Sequence, residues 1–140
     1  MSSVEDNIEA AGFSVFAEAL RASPYGETLD GGGPFTIFAP DDAAFAKFSQ
    51  AALERLHDDD ALLRAVIGYH FAAGRVMAGR FAGKRIRAVM YAGGDCIVDG
   101  KNGLKVNAAN LTRPDIIAGA CVVHGVDAVL WPRAPAPAPS

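Results

Sequence analysis

The chain has 140 residues, 51% of them hydrophobic and 21% charged, with a formal net charge of -3 and only 2 cysteines. A chain of this length fits one globular domain that buries about two thirds of its unfolded surface, so no disulfide or metal staple is required. No apolar run reaches the roughly 18 residues of a spanning helix, the 15 glycines have no period and no heptad is sustained, which excludes a membrane span, a collagen-like repeat and a coiled coil.

Charge is unevenly spread. Residues 1–60 hold twelve acids and three bases, residues 61–94 hold six bases and no acid, and residues 95–140 hold four of each. An overall acidic chain is a poor match for nucleic acid, and the local basic excess reads first as a solvated edge.

In chain order, Phe13, Phe16, Ala17 and Leu20 recur at the spacing of one helical face and predict a helical stretch over Val4–Ala22, ended by Ser23-Pro24. After the turn Gly31–Pro34, Phe35–Phe38 reads as a buried strand stopped at Ala39-Pro40. Asp41 is placed to cap a helix with Phe45 and Phe48 on its inner side, so the Asp41-Asp42 pair reads as charge at a helix start rather than as catalytic carboxylates. Leu53 and Leu56 suggest a short helical turn. Asp58, Asp59 and Asp60 then precede Leu62, Leu63, Val66 and Ile67 at helical spacing and mark another N-terminus, without the alternating ligands of a calcium loop.

Beyond Gly74 the period becomes 2, with strands expected near Arg85–Met90, Cys96–Val98, Leu104–Val106 and Cys121–Leu130, and a hairpin at Asp99-Gly100 and Asn102-Gly103. In the last strand Val122, His124 and Val126 share one face and Val123, Gly125 and Val129 the other, so apolar residues on both faces make it central. The domain is expected over residues 1–132, followed by a Pro/Ala-rich tail over residues 133–140.

No motif of enzyme chemistry is present: there is no G-x-S-x-G, H-E-x-x-H or C-x-x-C, and Gly79–Lys84 is too short for a phosphate loop. His57, His70 and His124 are not at metal-ligand spacing from one another or from a cysteine. Cys96 and Cys121 can pair across strands, but two buried thiols are favoured. No catalytic residue, metal ligand or cofactor is assigned.

Thr36–Phe45 resembles the first signature block of the fasciclin I domain, and Val122–Pro132 resembles its second. Between them Tyr69-His70 resembles the family's Tyr-His motif, and Pro114-Asp115-Ile116 the Asp-Ile element before the second block. The resemblance implies an α+β fold, a fasciclin-like wedge or β-sandwich of about seven strands with several packed α-helices. It also implies a non-enzymatic adhesion or interaction module, found outside the cell or at its surface. Tyr69, His70, Asp115 and Ile116 are, by that analogy, candidates for contact with a cell-surface protein or receptor, although helical spacing places His70 on an apolar side and Asp115 after Pro114 suits a turn or cap. Two departures stand out: Ala120-Cys121 replaces Asn-Gly before the second block, and Arg113 and Ile117 flank the Asp-Ile element, reversing the charge offered there.

A second candidate surface comes from charge alone. Arg75, Arg80, Lys84, Arg85 and Arg87, with Phe81 among them, suit an anionic polysaccharide, a lipid head group or an acidic protein face, or else a charged edge that discourages strand pairing. The competing class is a small hydrolase or small-ligand carrier with a pocket between wedge and helices. A monomer is expected. Arginine outnumbers lysine nine to four and alanine is abundant, as in GC-rich bacterial genomes, and no apolar leader follows Met1, so periplasmic, surface or extracellular placement rests on the family alone.

Overall fold

The structure, a computed structural model of the chain, describes residues 4–23, 25, 34–46, 54, 58–91, 95–101, 103–106, 109–118 and 121–130. The glycine turn at 31–33, Phe48, Leu53, Leu56, His57, Asn102, Ala120, Trp131 and the tail lie outside the described residues.

The first helical stretch is two helices, α1 (Val4–Ala10) and α2 (Ser14–Ala22), not one. Gly12 divides them. With φ of +101° it adopts a conformation that an L side chain rarely takes, and its N–H donates to the Glu9 carbonyl at 3.0 Å while that of Phe13 donates to Ile8 at 3.1 Å. This pairing is a Schellman motif, completed by the apolar side chains of Phe13 and Ile8, both buried. Arg21 then ties the helices back together, bonding Asp6 at 2.7 Å and also Glu9.

Strand β1 (Phe35–Pro40) follows, and then the short helix α3 (Asp42–Ala46). Asp41 caps α3 as its position suggests, accepting the Ala44 N–H at 2.7 Å. Asp42 caps a different helix: its Oδ1 accepts the Val15 N–H at 3.0 Å, in the open first turn of α2. Helix α4 (Asp60–Gly68) starts at the triple aspartate.

The remaining strands are β2 (Phe71–Ala73), β3 (Arg85–Val89), β4 (Asp95–Asp99), β5 (Lys105–Val106), β6 (Ala109–Ala118) and β7 (Cys121–Val126). They form one seven-stranded sheet in the order β2-β1-β7-β6-β5-β4-β3. Among the strands of the described residues only β1 and β7 pair in parallel, Thr36 opposite Val122 through Pro40 opposite Val126, and both strands are buried along their whole length. The hairpin at Asp99-Gly100 joins β4 to β5, with Val98 opposite Val106, and Asp99 accepts the Lys101 N–H at 2.9 Å.

Sequence reading missed two strands and overextended a third. β2 is too short to carry a pattern. β6 holds Pro114, which has no N–H for a ladder, and its pairing with β7 shifts register between Leu111 and Arg113 and again between Arg113 and Ile116. At the second shift Asp115 has φ of 59°, so the expected turn at Pro114-Asp115 is a bulge inside a strand. The last strand ends at Val126, and Asp127 instead accepts the Asn110 N–H at 2.8 Å.

Bulges bend strands, and the sheet folds over. Phe38 and Val126 pack with Cys96, Val98 and Val106 inside the fold. The other face of the central pair, with Ile37 and Val123, packs against Phe16, Leu20, Val66 and Ile67 of the helices. Cys121 lies in the helix-side layer and Cys96 in the layer between the sheet halves, and neither is in a disulfide.

Replacing Gly12 by Ala tests the break between α1 and α2. The nearest atom to an added Cβ, on Arg113, lies at 3.7 Å, an ordinary contact, so only backbone strain opposes it. The expected outcome is a loss of about 1–2 kcal/mol, read as a lower urea midpoint at unchanged slope.

Candidate functional site

The Tyr-His element sits where α4 ends. The His70 ring is wholly buried beside Phe16, with ring centroids 5.5 Å apart. Its Nδ1–H donates to the Val66 carbonyl at 2.6 Å, and its Nε2 accepts the Leu130 N–H at 2.9 Å. Two backbone partners of opposite kind select the neutral Nδ1–H tautomer. Burial lowers the pKa of His70 to about 4, against the weaker opposing effect of the bond to Val66. Tyr69 is also buried, packed in the layer between the sheet halves.

His124 on β7 is likewise buried and saturated. Its Nε2–H donates to the Val76 carbonyl at 2.8 Å and its Nδ1 accepts the Asp115 N–H at 3.1 Å. Burial lowers its pKa, while the bond to Val76 and the charge of Asp115 raise it. Asp115 is exposed, with Oδ1 3.8 Å from His124 Nδ1 and accepting the Ala78 N–H at 2.8 Å. Ile116 is half-buried and packs against the helix-side core. The structure therefore puts Tyr69 and Ile116 in different layers and leaves Asp115 alone of the four on the exterior. Arg113, which sequence reading presented to a partner, lies over the Phe13 ring at 5.4 Å and bonds the Ala11 carbonyl, closing the turn between α1 and α2.

Two of these groups, His124 and Asp115, join Thr36 in fastening the connection after β2. Thr36 Oγ1 donates to the Gly74 carbonyl at 2.6 Å and accepts the Val76 N–H at 2.9 Å. With His124 on the Val76 carbonyl and Asp115 on the Ala78 N–H, the backbone from Gly74 to Ala78 is held at four points. That segment carries Arg75 and leads into the 3-10 helix Ala78–Arg80. The loop beyond is fixed to the β4–β5 hairpin: Gly83 N–H donates to the Gly100 carbonyl at 2.9 Å and Gly100 N–H to the Lys84 carbonyl at 2.7 Å. A Cβ at position 100 would lie 1.9 Å from the Phe81 carbonyl oxygen, so the close approach requires glycine.

The five cations of the sequence-defined patch are all exposed on this pinned frame and on β3, where Arg85 and Arg87 alternate with half-buried Ile86 and Ala88. Among the described residues Arg75, Arg80, Lys84 and Arg85 take part in no ion pair. Beside them is a cavity of about 350 Å³, with Phe38, Val76, Phe81 and Ile86 as apolar lining and Arg80, Lys84 and Arg87 among its walls. It lies between β1–β2 and β3, where the two edges of the folded sheet approach. Thr36 and Val76 carried no signal as site residues. Ile86 could have been found from the alternation of β3. Among the described residues no three His, Cys, Asp or Glu side chains converge as metal ligands.

Protonation of His70 gives a pH test. A histidine whose pKa is lowered by folding binds protons more readily unfolded, so its contribution is complete above about 6.5 and is lost as pH falls from there towards 4. The expected loss across that window is about 3 kcal/mol for His70, with His124 adding in the same direction. His70→Gln should be less stable at pH 7 and should show a shallower decline between pH 6.5 and 4, measured by urea midpoints over the series.

The match to the Fasciclin domain family model covers residues 11–132. Among curated proteins, the chain is 31% identical to an uncharacterized protein of Synechocystis (sll1735), over 91% of this chain and 95% of that one. It is 35% identical to the cell surface glycolipoprotein MPB83 of Mycobacterium bovis, over 77% of this chain and 48% of the relative, so it spans about half the length of that protein. Among solved structures, a FAS1 domain pair from the insect cell adhesion molecule Fasciclin I superposes with a TM-score of 0.64 at 15% identity, covering 87% of this chain and 46% of that one. The fold is therefore the FAS1 fold, and no helix of the described residues is long and apolar enough to cross a membrane. By its sequence match and its fold, the chain belongs to the fasciclin domain family.

Proposed function

We propose that this domain is a non-enzymatic adhesion or interaction module that acts at or outside the cell surface and holds an anionic partner, a polysaccharide or an acidic face of a surface protein. The observation that carries the reading is the set Arg75, Arg80, Lys84, Arg85 and Arg87, all exposed, on a connection that Thr36, His124 and Asp115 fasten, a loop bonded to Gly100, and strand β3. With the backbone already held, a partner has only the side chains left to order, which favours association. Supporting it from the other side, both buried histidines spend their two ring nitrogens on backbone groups, which leaves neither ring nitrogen free for acid-base work. The relatives named as cell surface and cell adhesion proteins point the same way. A single contact of about 800 Å² per partner gives modest affinity, so adhesion by such a module relies on several copies acting together.

The triple variant Arg80→Ser, Lys84→Ser, Arg85→Ser tests the reading. The wild-type domain is expected to be retained on a sulfated polysaccharide matrix and released by salt. The variant should elute at markedly lower salt with an unchanged circular dichroism spectrum. Elution of the folded variant with the wild type overturns the assignment.

A further inference from the structure

We propose that the cavity between the two sheet edges binds a single-chain anionic amphiphile of medium length, a carboxylate with an acyl tail. The proposal rests on the reading of this face as anion-binding and adds what that reading lacks, an apolar requirement. Three observations carry it. The lining joins two chemistries that a purely ionic partner would not use: Phe38, Val76, Phe81 and Ile86 on the inside and Arg80, Lys84 and Arg87 at the exposed end. Val89, which also lines the cavity, is 66% exposed and continues the apolar surface outward, so water now covers hydrocarbon that a tail would cover better.

The second observation is closure. After β3 the chain rejoins the opposite edge, Tyr91 N–H donating to the Phe71 carbonyl at 2.8 Å, with the two rings stacked at 4.7 Å. The seam between β2 and β3 is thus shut at that end and cannot admit a strand running through it. This favours a short ligand over an added peptide strand, the other occupant that a free β3 edge would invite. A volume of about 350 Å³ is at the small end of small-molecule sites, which span about 300–1,000 Å³, and suits a tail of medium length.

The third is rigidity. Val76, at the centre of the lining, has its N–H bonded to Thr36 and its carbonyl to His124, so the cavity wall is held in place before any ligand enters.

Titration calorimetry and amide NMR with hexanoate, octanoate, decanoate and decanol test the proposal. Decanoate should saturate at one per chain and shift the amides of Val76, Phe81 and Ile86. Affinity should rise on the order of tenfold for each two methylenes added until the cavity is full. Decanol, with the same tail and no charge, should bind at least about tenfold more weakly. Ala72→Trp, which fills the cavity, should abolish decanoate binding while leaving polysaccharide retention unchanged, and Ala88→Phe serves if that variant fails to fold. Equal affinity for decanol and decanoate, decanoate shifts that survive both filled variants, or an acidic peptide shifting these amides where decanoate does not, would each overturn it. Salt-sensitive retention without decanoate binding sinks this inference alone, whereas decanoate binding with retention unaffected by the serine triple variant sinks the polysaccharide reading instead.

Discussion

The parallel pair β1–β7 is buried on both faces, and this is the constraint from which the site follows. A strand so placed must bury apolar side chains or supply every polar one with a partner, since an unsatisfied buried group costs about 1–3 kcal/mol. β1 carries Thr36 and β7 carries His124, and both reach across to the same backbone, at Gly74 and Val76. The connection between β2 and β3 is thereby bonded to the buried strands, while Arg75 and Arg80 on it stay exposed. His70 does the equivalent on the helix side, joining the end of α4 to the chain beyond β7.

A sheet that folds over without closing leaves two edges near each other, and a basic residue at an edge has two explanations. Arg85 and Arg87 lie on β3, where charge deters pairing with another molecule, and edge protection accounts for them without any ligand. It does not account for Arg75, Arg80 or Lys84. These belong to the pinned connection, the 3-10 helix and the loop against Gly100, none of which presents a strand edge. Arg80 and Lys84 also line an apolar hollow, which supports the binding role proposed for this face.

The capped helix after β1, the hairpin and the central last strand were legible because each is written in local chemistry: Asp41 as a cap, Asp99-Gly100 as a turn, Val122–Val126 apolar on both faces. β6 was not, because Pro114 and Asp115 argue for a turn and only pairing with two neighbours makes them a bulge. The break at Gly12 was not legible, because the apolar spacing continues across it when both helices face the same core. The basic patch was read directly from an acid-free run of sequence. The cavity was not, because Phe38 and Ile86 are separated by a β-crossover and meet only when the sheet folds over.

The residues by which the chain resembles its family are, in this structure, mostly those that satisfy the constraint of the buried strands. The first block supplies Thr36 and the Asp41 cap, the second supplies His124, and the Tyr-His and Asp-Ile elements supply His70 and Asp115. Each spends its hydrogen bonds on backbone within the domain. A motif of this kind specifies how the sheet is held together and says little about what the surface touches. Differences in partner among proteins that share it must then reside on the exterior that the motif fixes in place. In this chain the exterior held most firmly by the motif, through Val76 and Ala78, is the connection that presents Arg75 and Arg80.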